Sequence, residues 1–449
     1  MAEGLTRDQA KALADRVLAL SKAEGCQVNI SSGADGNTRF AANEISTAGD
    51  SSNAQVSVAS RFGKRQAAVS TNVFDDAGLR RAVETSERLA RLAPENPEQM
   101  PLLPAQTYGA VRAAFPATER LEAAARADAV RVATDACQRA GLVGAGFIQR
   151  TAGAGAVANS AGLFAYHQST EAVYTLTVRT PDGQGSGWAG TTHNDWSRTT
   201  AAARLAERAI GKARGSREPA TLEPGKYTVI LEPTAAGNLL GLMAFAMGAR
   251  AADEGRSFFA KRGGGTKMGE KVVSERVTIL SDPSDPDLLE GPYTGEGLPV
   301  GRTVWIENGV VKNLAYDRFW ADKKGVKPVP FGGGLKMMGG TATTEELVSS
   351  VERGLLVTRF WYIRGVDNRN LLFTGLTRDG LFLIENGKVT RAARNFRFNE
   401  SPVAMLNNLE NFGRAERVAA SESGGLGGSV VVPPLLVRDF TFTSVSEAV

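Results

Sequence analysis

Histidine and cysteine are nearly missing from this chain of 449 residues, which has two of each. Zinc hydrolases typically present two or three histidine ligands with a carboxylate, often paired along one helix. His167 and His193 stand in separate strand or loop segments, so each is expected to be structural. Cys26 and Cys137 fall in unrelated segments without CxxC spacing. That excludes a disulfide framework or a zinc ribbon and leaves two small, buried, apolar residues. No metal or other cofactor is expected.

Runs of like charge are also missing. The 52 basic and 48 acidic side chains, net +4, are interleaved. A nucleic-acid binder usually gathers its Lys and Arg on one face or tail, so nucleic acid is not the expected partner. The most apolar stretch, Leu239 to Ala249, is about half the ~20 residues that a membrane span needs. Met1 to Asp8 carries no apolar h-region. No signal peptide is expected, and the protein reads as cytoplasmic. Aromatics make up only 7%, so the cores are expected to rest on Ala, Val, Leu and Ile.

Familiar catalytic spacings are absent too. There is no GxSxG elbow, and no serine has Lys three positions later. Gly264 to Gly269 has P-loop spacing, but Glu270 stands where the phosphate-binding Lys is required. Gly153 to Ala158 fits the dinucleotide pattern but runs into Asn159-Ser160-Ala161-Gly162, a turn rather than a helix. Both glycine stretches read as loops. Asp282 to Asp287 holds three aspartates, yet its prolines and spacing favour a rigid solvated turn over a calcium loop.

Glycine is plentiful at 50 residues, against roughly 31 for an average chain of this length. At roughly 150 residues per domain the length suggests two or three domains. Thr6 to Ala23 predicts an amphipathic helix with Thr6 as N-cap. Gln27 to Ile30, Asn37 to Phe40 and Gln55 to Ala59 predict short strands joined by Ser/Gly/Asn turns. Asp75 to Leu92 predicts a helix with Leu79, Val83 and Leu89 on one face. Pro94, Pro97, Pro101 and Pro104 mark the first boundary.

Helices are predicted over Thr118 to Ala140 and Ser197 to Arg214, flanking strand-like segments at Gly146 to Gln149 and Ala172 to Val178. A second boundary falls near Gly215 to Pro219. Beyond it Tyr227 to Leu231 reads as a strand leading into a helix from Pro233 to about Asp253. Asn308-Gly309 and Asn386-Gly387 lie between β-rich arms and predict two hairpins, because Asn-Gly supplies the positive φ of a type I′ turn. The expected fold class is α+β. Its regions are 1–104, an N-terminal α+β domain; 105–219, a strand-rich domain flanked by helices; and 220–449, a mainly antiparallel β domain wrapped around a buried apolar helix.

Several segments carry a resemblance. Asn37 to Ile45, Gly297-Leu298-Pro299-Val300, Thr303 to Asn313, Tyr316-Asp317-Arg318-Phe319, Val351 to Thr358 and Leu383 to Arg391 resemble the TldD/PmbA family, on its PmbA/TldE-like branch. In the TldD branch the resemblance implies a metallopeptidase with an HExxxH helix after a strand and a Pro/Gly turn. The matching helix here has Gly241 and Leu242 at the His-Glu positions and Ala246 at the second His. The family's metal-binding Cys has no counterpart within Ala419 to Gly428.

The resemblance therefore implies a metal-free subunit that pairs with a TldD-like HExxxH metallopeptidase and helps form a channel for unfolded peptide. Gly255, Arg256, Ser257 and Phe258 are the candidate peptide-facing strand. Gly332 to Gly334 through Met338 to Gly340 is a candidate flap, or equally a long disordered loop. Two rival readings are an autonomous metal-independent hydrolase, for which Ser257 is a candidate, and a homodimeric binding or scaffold protein. The family's older link to DNA gyrase finds little support in the interleaved charges.

Overall fold

In this computed structural model, which describes residues 4–419 and 429–446, the first half is one antiparallel sheet backed by helices on a single face. Its elements run α1 (Arg7–Leu20), β1 (Gly25–Ala41), β2 (Glu44–Phe62), β3 (Arg65–Thr71), α2 (Asp76–Leu92), α3 (Pro116–Glu119), α4 (Ala123–Arg139), β4 (Val143–Asn159), β5 (Phe164–Arg179), β6 (Ser186–His193) and α5 (Ala202–Gly215). The strand order is β3-β2-β1-β4-β5-β6. β1 pairs with β4 from Gln27 opposite Asn159 to Phe40 opposite Gly146. The sheet is thus continuous from one side of Pro104 to the other.

The caps explain where the first helices begin. The Thr6 hydroxyl accepts from the Gln9 amide, and the Gln9 side chain reaches back to the Thr6 amide, a reciprocal capping box. Asp75 caps α2 through the Gly78 amide. Leu79 and Val83 of α2 are buried, but Leu89 faces solvent. β1 is one unbroken strand, not two strands around a turn. The Ser/Gly/Asn material between Ile30 and Asn37 keeps its backbone bonds to both neighbours, which overrides the local turn preference. Gly153 to Ala158, read as a loop, is likewise strand.

One face of this sheet is apolar. Val28, Ile30, Val56 and Ala156 pack against Leu13 and Val17 of α1 and Leu79 and Val83 of α2. Phe40, Ile148, Tyr174 and Leu176 pack against α4 and α5. Cys26 and Cys137 are both buried and free, and burial pushes the Cys137 thiol up to about 11. Beneath the same face the fully buried Arg126 reaches Asp50 at 2.6 Å and the Leu121 carbonyl at 2.9 Å. Gly36 makes room for it: a Cβ there would lie 2.4 Å from Arg126 Nη1.

The second half contributes β7 (Gly225–Leu231), α6 (Pro233–Phe245), α7 (Ala249–Asp253), β8 (Ile279–Ser281), β9 (Thr303–Glu307), β10 (Val310–Val311), α8 (Arg318–Lys324), β11 (Leu335–Met337), α9 (Thr344–Ser349), β12 (Arg353–Asp367), β13 (Leu372–Glu385), β14 (Lys388–Ala392), β15 (Phe396–Glu400), α10 (Pro402–Asn407), β16 (Leu409–Phe412), β17 (Glu416–Arg417), β18 (Val430–Val432) and β19 (Leu435–Val445). One sheet has the order β10-β9-β8-β11-β18-β17. The other runs β12-β7-β19-β15-β13-β14, and an added β12–β13 pairing closes five of its strands into a ring. Its pairings are antiparallel except β12 with β7. Both Asn-Gly hairpins form, with φ of 49° and 79° at Asn308 and Gly309 and of 50° and 74° at Asn386 and Gly387.

Most buried apolar residues are Ala, Val, Leu and Ile, as expected; the ring is a local exception, and two other expectations change. The core of the ring is aromatic: Phe360 stacks on Phe440 at 5.6 Å and Phe396 on Phe442 at 4.9 Å. The long apolar helix ends at Phe245 and resumes as α7 after Gly248. α6 packs against β7, β12, β18 and α10, with Leu242 half-buried and Phe245 exposed. The glycine-flanked flap segment is instead anchored, because Leu335–Met337 is a strand between β8 and β18. Lys336 there pairs with Asp285 at 2.7 Å.

The two halves meet at a buried polar junction. Asp379 of β13 accepts from the Ser186 hydroxyl of β6 and from the Arg359 guanidinium of β12. Both members of the ion pair are almost fully buried. Removing one partner of such a pair strands the other charge. Replacing Arg359 with Met is expected to lower unfolding stability by about 3 kcal/mol or more, measured by chemical denaturation.

Candidate functional site

The helix-free face of the first sheet is built of small and polar residues, and it forms the floor of a groove. Because strand side chains alternate, the odd positions of β1 point to this face. They line up across the sheet with partners on the neighbouring strands. Gly33 stands opposite Asn53 of β2 and Gly153 of β4, and Gly153 stands opposite Ser169 of β5. The adjoining row is Gln55, Ser31, Gly155 and His167. Gly155 has open space above it, the nearest atoms to a built Cβ lying 3.9 Å away.

A loop from the second half roofs one end. The Asn29 amide donates to the Gly295 carbonyl at 2.8 Å, and the Tyr293 hydroxyl donates to the Gly155 carbonyl at 2.7 Å. Tyr108 donates to the Gly297 carbonyl at 2.8 Å and meets the Tyr293 ring edge-on at 5.3 Å. The space over the floor is about 530 Å³. Through His167, Ser169 and Gly291 it continues into a narrower cleft of about 300 Å³.

Arg417 commands that cleft. Its side chain is 5% exposed and donates to Asn194, to Ser429 Oγ at 2.6 Å and to Glu171 at 3.2 Å. Among the described residues its Nε has no partner. Burial holds the guanidinium below its usual range, opposed by Glu171 and Glu290. Glu290 accepts from the Ser429 amide at 2.8 Å, and burial raises its carboxyl. His167 also lines the cleft; its Nε2 has no partner among the described residues, and burial holds its imidazole low.

The sequence-level candidates lie elsewhere. Gly255, Arg256, Ser257 and Phe258 form a turn after α7, not an extended strand. Gly255 has φ of 73°, which ends the helix and bends the chain away. Arg256 pairs with Glu254, and Lys267 sits over the Phe258 ring at 3.5 Å. Ser257 is buried, donates to the Ala246 carbonyl at 2.9 Å and accepts from the Phe259 amide at 3.0 Å. Its hydroxyl ties α6 to the turn.

Gly241 is buried, and Leu242 and Ala246 are half-buried. None of these three side chains can ligate a metal. Among the described residues no group of three or more His, Cys, Asp or Glu is placed to hold one. The residues therefore do not fit the zinc site that the TldD branch implies. Of the stretch searched for the family's Cys, residues 420–428 lie outside the described residues. No described helix is long and apolar enough to cross a membrane.

Sequence reasoning passed over Arg417, Glu171, Glu290, Asn194 and Ser429, and it gave His167 only a structural role. One usable sign was present: Gly153 and Gly155 alternate with Ala152, Ala154 and Ala156, a strand with one bare face.

Comparison with known proteins follows the same geography. Residues 224–444 match the model of the PmbA/TldA metallopeptidase C-terminal domain. A protein named Metalloprotease from Methanothermobacter thermautotrophicus is 27% identical over 185 residues, covering 37% of this chain and 39% of that one. The Metalloprotease TldD homolog of Buchnera aphidicola is 26% identical over 160 residues, covering 32% and 33%. The matched stretch thus spans well under half of these curated relatives. The crystal structure of TldE from Thermococcus kodakarensis has a TM-score of 0.83 at 18% identity, covering 97% of this chain and 99% of that one. The two share a fold.

His193 offers a test of the junction beside the cleft. It is buried, and its Nδ1 accepts from the Asp195 amide at 2.8 Å. Burial, with Arg198 and Arg417 adding to it, pushes the imidazole down to about 4. The unfolded chain takes up that proton near pH 6.5, so between these values the unfolded state binds more protons. Stability should therefore fall as pH drops from about 6.5 to about 4, by about 3 kcal/mol from this group. Glu290 and Glu400, raised by burial, act with the opposite sign: their contribution is lost as pH rises through their folded values. Denaturation of the His193→Gln variant isolates the histidine, and the fall between pH 6.5 and 4 should flatten.

Proposed function

Because residues 224–444 of this chain form a C-terminal domain of the PmbA/TldD family, we propose that the protein is the metal-free, TldE-like subunit of a two-subunit metallopeptidase acting on unfolded peptides. One observation carries the reading. The helix that should hold the metal presents Gly241, Leu242 and Ala246 at the ligand positions, and its surroundings are apolar. The scissile chemistry then belongs to an HExxxH-bearing relative. This chain supplies the interface and the wall of the substrate channel, with the sheets on either side of α6 as its frame. The cytoplasm is the compartment in which we place it.

The groove over Gly33, Gly153 and Gly155 supports a channel role. The hydroxyl–carboxylate pair on its floor is Thr151 with Asp35 at 2.8 Å, and the Ser257 hydroxyl is spent on two backbone bonds. The autonomous-hydrolase alternative therefore loses its named candidate.

Cleavage of an unfolded peptide by the purified chain, by an HExxxH-bearing relative from the same genome, and by their mixture tests the assignment. Activity is expected only in the mixture and should vanish on adding a chelator. Chelator-resistant cleavage by this chain alone would overturn the reading. So would recovery of stoichiometric protein-bound zinc from it. Mass measurement before mixing reports whether the lone chain is a homodimer.

A further inference from the structure

We propose that the free edge of β2, from Thr47 to Gln55, pairs antiparallel with the same segment of a second copy of this chain, so that two first sheets join across a two-fold axis into one. The proposal goes beyond the subunit assignment and does not rest on it.

This edge is long, regular and undefended. β2 pairs with β1 along its length, but β3 covers it only from Val56 to Phe62. Among the described residues no other strand pairs with it. A register shift opposite Arg39 and Phe40 bounds the regular stretch at its other end. Between those limits lies Thr47-Ala48-Gly49-Asp50-Ser51-Ser52-Asn53-Ala54-Gln55, with alternate residues turning their backbone N–H and C=O away from β1. All nine are exposed except Ala54, which is half-buried. Soluble proteins usually blunt such an edge with Lys, Pro or a free charge. None of the nine is Lys, Arg or Pro, and the one charge, Asp50, is answered by Arg126 at 2.6 Å.

The segment is also complementary to itself, which selects the occupant. With Ser51 on the two-fold axis all nine residues find partners. Ser51 faces Ser51 of the second copy, Asp50 faces Ser52, Gly49 faces Asn53, Ala48 faces Ala54 and Thr47 faces Gln55. No like charges meet, and Asp50 can accept from the facing Ser52 hydroxyl. Moving the axis to Asp50 would instead set two carboxylates directly opposite, which destabilises a strand pair. A free peptide would lose chain entropy on joining the edge, whereas a second β2 is already held straight by its own β1. Facing residues of an antiparallel pair point to the same side. The two helix-free faces therefore lie on one side of the joined sheet.

The test is sedimentation of the full chain over about 1–100 μM, where a monomer–dimer equilibrium is expected for the wild type. Ser51→Lys and Ser51→Glu each set like charges directly opposite across the axis, and each should weaken self-association about fivefold or more. Ser51 is exposed, so neither change disturbs the pairing with β1, and thermal unfolding checks that both variants are folded. Mixing the two variants sets Lys opposite Glu and should restore the dimer, now as a mixed species.

A wild-type chain that stays monomeric up to about 100 μM overturns the proposal. A dimer unchanged in Ser51→Lys does the same, because its interface then lies elsewhere. Two variants that remain apart when mixed also overturn it, since the two Ser51 positions then do not face each other. Loss of the dimer in each variant and its recovery on mixing is the result that supports the pairing.

Discussion

The antiparallel pairing of β1 with β4 is the contact on which the remaining architecture hangs. It joins residues 25–41 to residues 143–159, segments that are remote in sequence and cannot find each other by local preference. Closing that loop costs chain entropy before any bond forms. The ladder of backbone bonds and the apolar rows beneath it offset the cost. Once the two strands are adjacent, β2, β3, β5 and β6 add by hairpins, and the helices have a single apolar face to cover. The opposite face is left bare because its glycines, serines and threonines offer the helices nothing to bury. The groove is a consequence of that asymmetry.

Polar junctions then fix how the second half sits on the first. Ser186, Asp379 and Arg359 join β6 to the closed ring of strands. Glu171 and Asn194 join β5 and the end of β6 to Arg417. Apolar contact alone tolerates sliding, while buried charged hydrogen bonds have one satisfied geometry and penalise the others. Asp379 adopts a φ of 53°, which a non-glycine residue accepts only where its surroundings determine it. The roof loop is held over the groove floor by its own bonds, Asn29 to Gly295 and Tyr293 to Gly155. Neither junction adds much net stability over an apolar contact of the same size, so their value lies in geometry.

The features legible in the sequence were those whose cause is local. Thr6 and Asp75 announce helix starts because a side chain two or three residues ahead of the amide satisfies it. Asn308-Gly309 and Asn386-Gly387 announce hairpins because the turn demands positive φ. The unbroken course of β1 was hidden, since Gly33 and Gly36 look like turn residues until β4 supplies their partners. Gly36 is explained by the ion pair packed against it, Asp50 of β2 with Arg126 from a helix far along the chain. Arg417 was invisible for the same reason: its meaning comes from Glu171, Asn194 and Ser429, none of which is a sequence neighbour. The aromatic ring core escaped notice because a low total count says nothing about where the rings gather.

α6 bears on why the channel and the chemistry would reside in different chains. Gly237 packs so closely that a built Cβ would approach Val418 to 3.0 Å and Val432 to 3.2 Å. Ten of the helix's thirteen residues are buried. Histidine and glutamate at Gly241 and Leu242 would place a carboxylate in this apolar setting, at a cost of several kcal/mol unless a metal or cation met it. The helix is committed to packing, and it cannot be turned toward metal chemistry one residue at a time. The first sheet differs, because Gly155 on its helix-free face has open space above it. On the subunit reading, catalysis then depends on how the partner's metal site is aligned with the Arg417 end of the groove, and the buried junctions are what hold that end in place.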